Sequence, residues 1–104
     1  MHAEVAVQAV DDAGLLDKIN IHPWQLNPKM LEHLESGAVK ASGSVLLVPQ
    51  SRIAIDLAVR ILDGKPFVKQ VFVNPIVVEH EKFADFDPAL TVAPAGWKPT
   101  YNVD

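Results

Sequence analysis

The chain has 104 residues, of which 49% are hydrophobic and 21% are charged, a balance typical of one small globular domain. Its formal net charge is −4 and its basic residues form no run, so neither a nucleic-acid-binding nor an anionic-membrane surface is expected. The absence of cysteine excludes disulfides, thiolate nucleophiles and cysteine-ligated metals. There is no apolar stretch of 18 residues, and the N-terminus lacks a basic segment followed by a long apolar core. Neither a membrane span nor a signal peptide is therefore expected in this chain.

The first quarter of the chain predicts a helix followed by a short strand. The helix is expected over residues 2–13, with Gly14 as its C-terminal cap. Its apolar residues at helical spacing are Ala3, Ala6, Val10 and Ala13. The segment KINIHPW (18–24) predicts a short strand with Ile19 and Ile21 on one face.

A second helix is predicted from the pair Asn27-Pro28. Asparagine is a favoured N-cap, and proline is favoured at the first helical position because its missing N–H would have no partner there. The helix is expected to end near Gly37. Its predicted inward residues are Met30, Leu31 and Leu34.

The middle of the chain, LLVPQSRIAIDLAVRILDGKPF, predicts a strand that leads into a helix. The strand is expected over about residues 44–48. Ser51 is a candidate N-cap for the helix, which is expected to run to Asp63 and to be closed by Gly64. A further strand is predicted in KQVFVNPIVVEH (69–80), where many residues are β-branched.

Proline interrupts that last strand at Pro75. Because proline cannot donate a hydrogen bond to a ladder, the strand is expected to lie at an edge, to bend or to cross between two bodies. The tail over residues 83–104 contains three prolines and is expected to be mostly irregular.

Helices and strands alternate in this order, which predicts an α/β fold with a mainly parallel sheet and flanking helices. The predicted helix that follows Pro49 is unusual because it has two apolar stripes. One stripe is Ile53, Leu57 and Ile61, and the other is Ile55, Ala58, Val59 and Leu62. A helix with two apolar stripes is expected to be covered by other elements on two sides. A chain of 104 residues has too few elements to cover both. Self-association through residues 53–62 is therefore expected.

Three segments resemble the C-terminal part of type I periplasmic binding proteins, the two-lobed solute receptors. They are EVAVQAVDDAGLLDKINI, NPKMLEHLESGAVKASGSV and PQSRIAIDLAVRILDGKPF, and the last is similar to the family's Gln-Gly-x-x-Ala helix. The resemblance implies that the chain is a piece of a periplasmic receptor. It places residues 1–48 in the second lobe, 49–68 in a first-lobe helix and hinge, and 69–104 in a returning hinge strand and C-terminal tail.

The ending APAGWKPTYNV is most similar to that of family members that sense trimethylamine N-oxide and signal to the ectodomain of a membrane sensor kinase. Sensing of this kind is the function that the resemblance favours. Two alternatives stay open: a substrate-binding component that delivers a sugar to an ABC permease, and a small self-associating αβ protein without a ligand. Fold alone does not separate them.

Catalytic, cofactor and metal motifs are absent from the sequence. The four histidines form neither HxH nor HExxH, and no serine has a G-x-S-x-G setting. The two glycines of SGAVKASGS match neither a P-loop nor a dinucleotide fingerprint, and a turn into a strand is expected there. The sequence therefore predicts a binding protein rather than an enzyme, with no cofactor and no metal.

Ligand-binding residues are expected after the strand at 18–22, since ligands of open α/β lobes lie beyond the carboxyl ends of strands. Trp24 and Gln25 occupy that place. The indole can face a quaternary-like amine or stack on a sugar, or it simply covers the helix at Pro28. Gln50 matches the family's glutamine, although the next residue, Ser51, replaces the family's glycine and favours a capping role. Trp97 and Tyr101 belong to the ending and are expected in packing or partner contacts.

Overall fold

Five regular elements and two short 3₁₀ helices make up the part of the chain that the computed structural model describes, residues 2–100. The elements are α1 (His2–Asp12), α2 (Pro28–Glu35), β1 (Ala41–Ser44), α3 (Leu47–Leu62) and β2 (Ile76–Glu79), and the 3₁₀ helices are His80–Asp85 and Pro88–Leu90. Within this described part, no helix has the length and apolar character needed to cross a membrane.

Helices α1 and α2 confirm the first two predicted helices. The Oδ1 of Asn27 accepts a hydrogen bond from the backbone N–H of Met30 at 2.8 Å, and Pro28 opens the helix. Both helices are followed by glycine in the left-handed region, Gly14 with φ +65° and Gly37 with φ +80°. The predicted inward face of α2 is correct.

The inward face of α1 differs from the prediction. Val7 is its buried residue, while Ala6, which was expected inside, is exposed. The Nδ2 of Asn27 also donates a hydrogen bond to the carboxylate of Glu4. This bond lowers the pKa of Glu4, and Asn27 thus caps α2 and ties it to α1.

The prediction of a mainly parallel sheet is not confirmed, because β1 and β2 pair antiparallel, with Ala41 opposite Glu79 and Ser44 opposite Ile76. The strand predicted over residues 18–24 is wrong, because residues 18–23 lie in no ladder. Among residues 2–100, parallel pairing is limited to one bridge between Trp24, at the end of that segment, and Gly43. The sequence pattern around Ile19 and Ile21 was too short to distinguish a strand from an extended loop.

The strand predicted over residues 44–48 is also wrong, since β1 ends at Ser44 and α3 begins at Leu47. Pro49 lies in the first turn of α3, where its missing N–H leaves no hydrogen bond unmade. Ser51 is consequently inside the helix and does not cap it. The predicted C-terminal end is correct to within one residue, and Gly64 has φ +63°.

The hydrophobic core lies between α1, α2 and the sheet. Its buried members are Val7, Leu26, Met30, Leu31, Leu34, Val39 and Val78. Helix α3 contributes no buried residue. The Cα radius of gyration is 17.5 Å, compared with about 13 Å for a compact chain of this size, so the protein is elongated.

The elongation comes with an arm, which we define as α3 together with residues 65–73. Ile53 and Leu57 of the first predicted stripe are half-buried and border a hollow with Val71. In the second stripe, Ile55 is 66% exposed and Leu62 is 85% exposed. One stripe is thus partly covered by the chain itself, and the other is uncovered within residues 2–100.

Strand β2 begins directly after Pro75, and residues 69–74 belong to no ladder. The strand predicted over residues 69–80 is therefore correct only after Pro75, and its first half is wrong. The expected crossing between two bodies stays a prediction. The tail is mostly irregular apart from the two 3₁₀ helices, as predicted for residues 83–100.

Candidate functional site

The segment Pro23–Leu26 is held firmly against β1. The N–H of Gly43 donates to the carbonyl of Pro23 at 3.1 Å, and the N–H of Gln25 donates to the carbonyl of Gly43 at 2.6 Å. The hydroxyl of Ser42, a residue only 1% exposed, donates to the Pro23 carbonyl at 3.1 Å. Pro23 and Leu26 are buried, so both ends of the segment are anchored.

Gln25 has an uncommon backbone conformation, with φ +95°, and no other non-glycine residue among residues 2–100 has a positive φ. This conformation costs roughly 1–3 kcal/mol for a residue with a side chain. The hydrogen bond to Gly43 and the burial of Leu26 maintain it. Strained backbone of this kind is frequent at binding sites, and it motivates the hypothesis that the segment has a function.

Trp24 and Gln25 project from this anchored segment towards solvent. Trp24 is 65% exposed, and both residues line one hollow of about 460 Å³, a size suited to a small molecule. The remaining lining residues are His2, Ala3, Asn27 and Met30. Within the described part of the chain, the carboxamide of Gln25 makes no hydrogen bond, so its donors and acceptor are available to a ligand.

Gln50, the third predicted ligand-binding residue, is not part of this hollow. It lies half-buried in the first turn of α3 and lines a separate hollow of about 200 Å³ with apolar residues that include Leu57, Val71 and Val73. The structure therefore brings Trp24 and Gln25 together and places Gln50 on the arm.

The histidine at position 80 has a structural role. Its Nδ1 lies 2.8 Å from the carbonyl oxygen of Leu34, and its ring covers Gly37. These contacts join the end of β2 to the end of α2. No group of three potential metal ligands is found among residues 2–100.

The turn into a strand predicted for SGAVKASGS is present, since β1 follows the turn at residues 36–40. The contact of Gly43, inside β1, with the ring of Trp24 was not predicted. A glycine inside a predicted strand was the available signal, because it often marks the close approach of another group. Of the two aromatic residues in the ending, Trp97 is 62% exposed, and Tyr101 lies outside the described residues.

No protein-family model matches the sequence, and no curated protein matches it. Several solved structures do. One is an ABC transporter solute-binding protein from Bradyrhizobium sp. BTAi1, with bound bis-tris. It is 35% identical, with a TM-score of 0.82, and the match covers 96% of this chain and 30% of that one.

Two further matches are informative. A periplasmic ABC transporter solute-binding protein from Actinobacillus succinogenes 130z, with bound D-allose, is 27% identical over 78% of this chain and 28% of that chain, with a TM-score of 0.71. The complex of the TorS sensor domain with TorT, in the presence of TMAO, matches at 19% identity over 96% of this chain and 34% of that chain, with a TM-score of 0.83. At that identity the likeness shows the fold alone.

The chain matches a part of the periplasmic-binding-protein fold. The resemblance seen in the sequence is confirmed at this level, and the structures that match are solute-binding proteins. The chain spans about a third of the length of these structures.

Proposed function

We propose that the chain is part of a periplasmic solute-binding protein that captures a small molecule for an ABC transporter. The observation that carries this proposal is the 35% identity, over 96% of the chain, with an ABC transporter solute-binding protein. Its activity is binding rather than catalysis, its location is the periplasm, and its macromolecular partner is a permease. This order reverses the first expectation from the sequence, which put sensing ahead of transport.

We also propose the division into lobes that the resemblance implies. We assign residues 1–48 to the second lobe, 49–68 to a first-lobe helix and hinge, and 69–104 to the returning hinge strand and tail. The core of the described chain is built mainly by residues before position 48, whereas α3 buries none of its side chains. A first-lobe helix is expected to lack its cover here, because it would pack on a first-lobe sheet and the described residues form only the two-stranded sheet of β1 and β2.

The ligand is proposed to lie against Trp24 and Gln25. Among residues 2–100, neither a carboxylate nor a lysine or arginine side chain lines their hollow, and this favours a neutral polar ligand over a charged one. The indole supplies an apolar ring surface, and the carboxamide of Gln25 supplies hydrogen bonds. Gln50 is proposed to reach the ligand from the arm, on the opposite wall of the cleft.

Sensing is the second candidate function, in which the chain binds trimethylamine N-oxide and docks on a sensor-kinase ectodomain. The ending that contains Trp97 favours it, because this tryptophan is exposed within the motif that resembles the sensing members. The structural match to TorT is compatible with this function and with transport.

A thermal-shift panel tests the two functions. A half-cleft leaves one face of the ligand in water, so we expect weak binding. With a dissociation constant of about 1 mM, a 10 mM ligand raises the free energy of unfolding by about 1.4 kcal/mol, which raises Tm by roughly 5–10 °C. We expect this shift with D-allose, the sugar bound in one of the matching structures. A shift with trimethylamine N-oxide alone would favour sensing, and no shift with any of these compounds would contradict both functions.

Self-association is proposed for the isolated chain, through residues 53–62 of the arm. Ile55, Val59 and Leu62 present an uncovered apolar surface there, and Phe72 adds to the exposed apolar area of the arm. Sedimentation at micromolar concentration should show dimers or larger species, and Leu62→Lys should weaken the association at least tenfold. A stable monomer that melts cooperatively would contradict the proposal. Association combined with no response to any ligand would instead support the self-assembling alternative.

A further inference from the structure

We infer that Gly43 is a positioning residue for the proposed ligand site, because it provides the space in which the ring of Trp24 lies. The inference rests on the function proposed above. It adds the reason why the indole presents one particular side to a ligand. It also predicts that ligand affinity depends on a residue that does not line the hollow.

The first observation is the contact between Gly43 and the indole. A Cβ atom built on Gly43 would overlap Cε3 and Cζ3 of Trp24, well inside the van der Waals limit. These atoms belong to the rigid six-membered ring. Any side chain at position 43 must therefore displace the whole indole or the strand beneath it.

The second observation is that the backbone of Gly43 does not require glycine. The chain has five glycines, and four of them, Gly14, Gly37, Gly64 and Gly96, have a positive φ. Gly43 is absent from that group and lies in the regular strand β1. Because other residues readily adopt strand backbone, the contact with the ring is the physical reason for glycine at this position.

The third observation is that the backbone fixes the two partners opposite each other. The N–H and the C=O of Gly43 bond to Pro23 and Gln25, the two neighbours of Trp24 in the chain. Trp24 therefore cannot slide along β1 while these bonds persist. With Cε3 and Cζ3 of the ring against Gly43, the remaining exposed part of the indole is left for the ligand.

These constraints favour a ligand with a flat apolar face and polar groups at its edge. The ring can cover such a face, while Gln25, held with φ +95°, can bond to the edge. A methyl group at position 43 should lift the ring from the strand and misalign both contacts. The strained backbone of Gln25 and the small residue at position 43 thus hold the carboxamide and the indole in one arrangement towards the ligand.

The test uses Gly43→Ala and Trp24→Ala, singly and combined, in a Trp97→Phe background so that Trp24 is the single tryptophan. Gly14→Ala is the control for the emission, since it adds a methyl group where nothing lies within 4 Å; it is not a control for Tm, because its φ of +65° strains any residue other than glycine. Without ligand, Gly43→Ala should shift the emission of Trp24 and lower Tm, and Gly14→Ala should leave the emission unchanged. With D-allose as the probe, Gly43→Ala should raise the dissociation constant at least tenfold.

The double variant makes the test decisive even where Gly43→Ala folds poorly. If the ring contact is the cause, removing the indole should restore most of the Tm that Gly43→Ala loses. Equal losses in the presence and absence of the indole would overturn the inference, as would an unchanged emission. An unchanged affinity in Gly43→Ala, together with weakened binding in Trp24→Ala, would overturn the inference but keep the proposed function. Unchanged affinity in both would overturn the proposed site.

Discussion

Replacing Leu34 with alanine should lower the free energy of unfolding by about 2–5 kcal/mol, the usual effect of truncating a buried leucine to alanine. Leu34 is fully buried in the core cluster. Since small domains are stable by only about 5–15 kcal/mol, this change alone should remove a large part of the stability.

The matched control is Leu62→Ala. The side chain of Leu62 is 85% exposed at the end of α3, so its truncation should change the free energy of unfolding by less than about 0.5 kcal/mol. Urea unfolding followed by circular dichroism measures both values, at concentrations below any self-association. Similar losses in the two variants would mean that the arm is packed in solution, which would contradict the proposed division into lobes.

Replacing Trp24 with alanine should weaken ligand binding by at least tenfold, equivalent to about 1.4 kcal/mol, because the ligand loses its aromatic contact surface. Trp97→Ala is the control. The two tryptophans are almost equally exposed, at 65% and 62%, so a general effect of losing a surface aromatic would appear in both variants.

Titration with D-allose measures this difference, and we expect Trp97→Ala to stay within twofold of the unmodified chain. Equal weakening in both variants would indicate an indirect effect. An unchanged affinity in Trp24→Ala would contradict the proposed role of this residue and return it to the structural alternative, in which it only covers neighbouring residues.

Local signals account for the parts of the fold that the sequence predicted well. Asn27-Pro28 at the start of α2 and the glycines after three of the helices act within one or two turns of backbone. Such signals do not depend on distant partners. They therefore gave the bounds of α1 and α2 and the end of α3.

Strand predictions failed where the outcome depends on distant partners. Residues 44–48 contain an apolar run that suits a strand or a helix equally, and the structure resolves it as the start of α3. Residues 18–22 have the composition of a strand, yet no neighbouring strand pairs with them in the described chain. Periodicity alone does not contain this information.

The site residues stay a prediction. Trp24 and Gln25 were expected beyond the end of a strand over residues 18–22, and the structure has no strand there, although the two residues do line one hollow. The contact with Gly43 joins residues about twenty positions apart, and the positive φ of Gln25 arises from hydrogen bonds to β1. Neither is visible in a local sequence pattern.

The most direct test of the central claim, that this chain contributes a ligand-binding wall, is the mapping of D-allose binding by NMR. Amide chemical shifts of the 104-residue chain would be followed during the titration. We expect the largest changes at residues 22–27 and at Gly43, with the indole N–H of Trp24 among them. No change up to 50 mM, or changes confined to the arm, would contradict it.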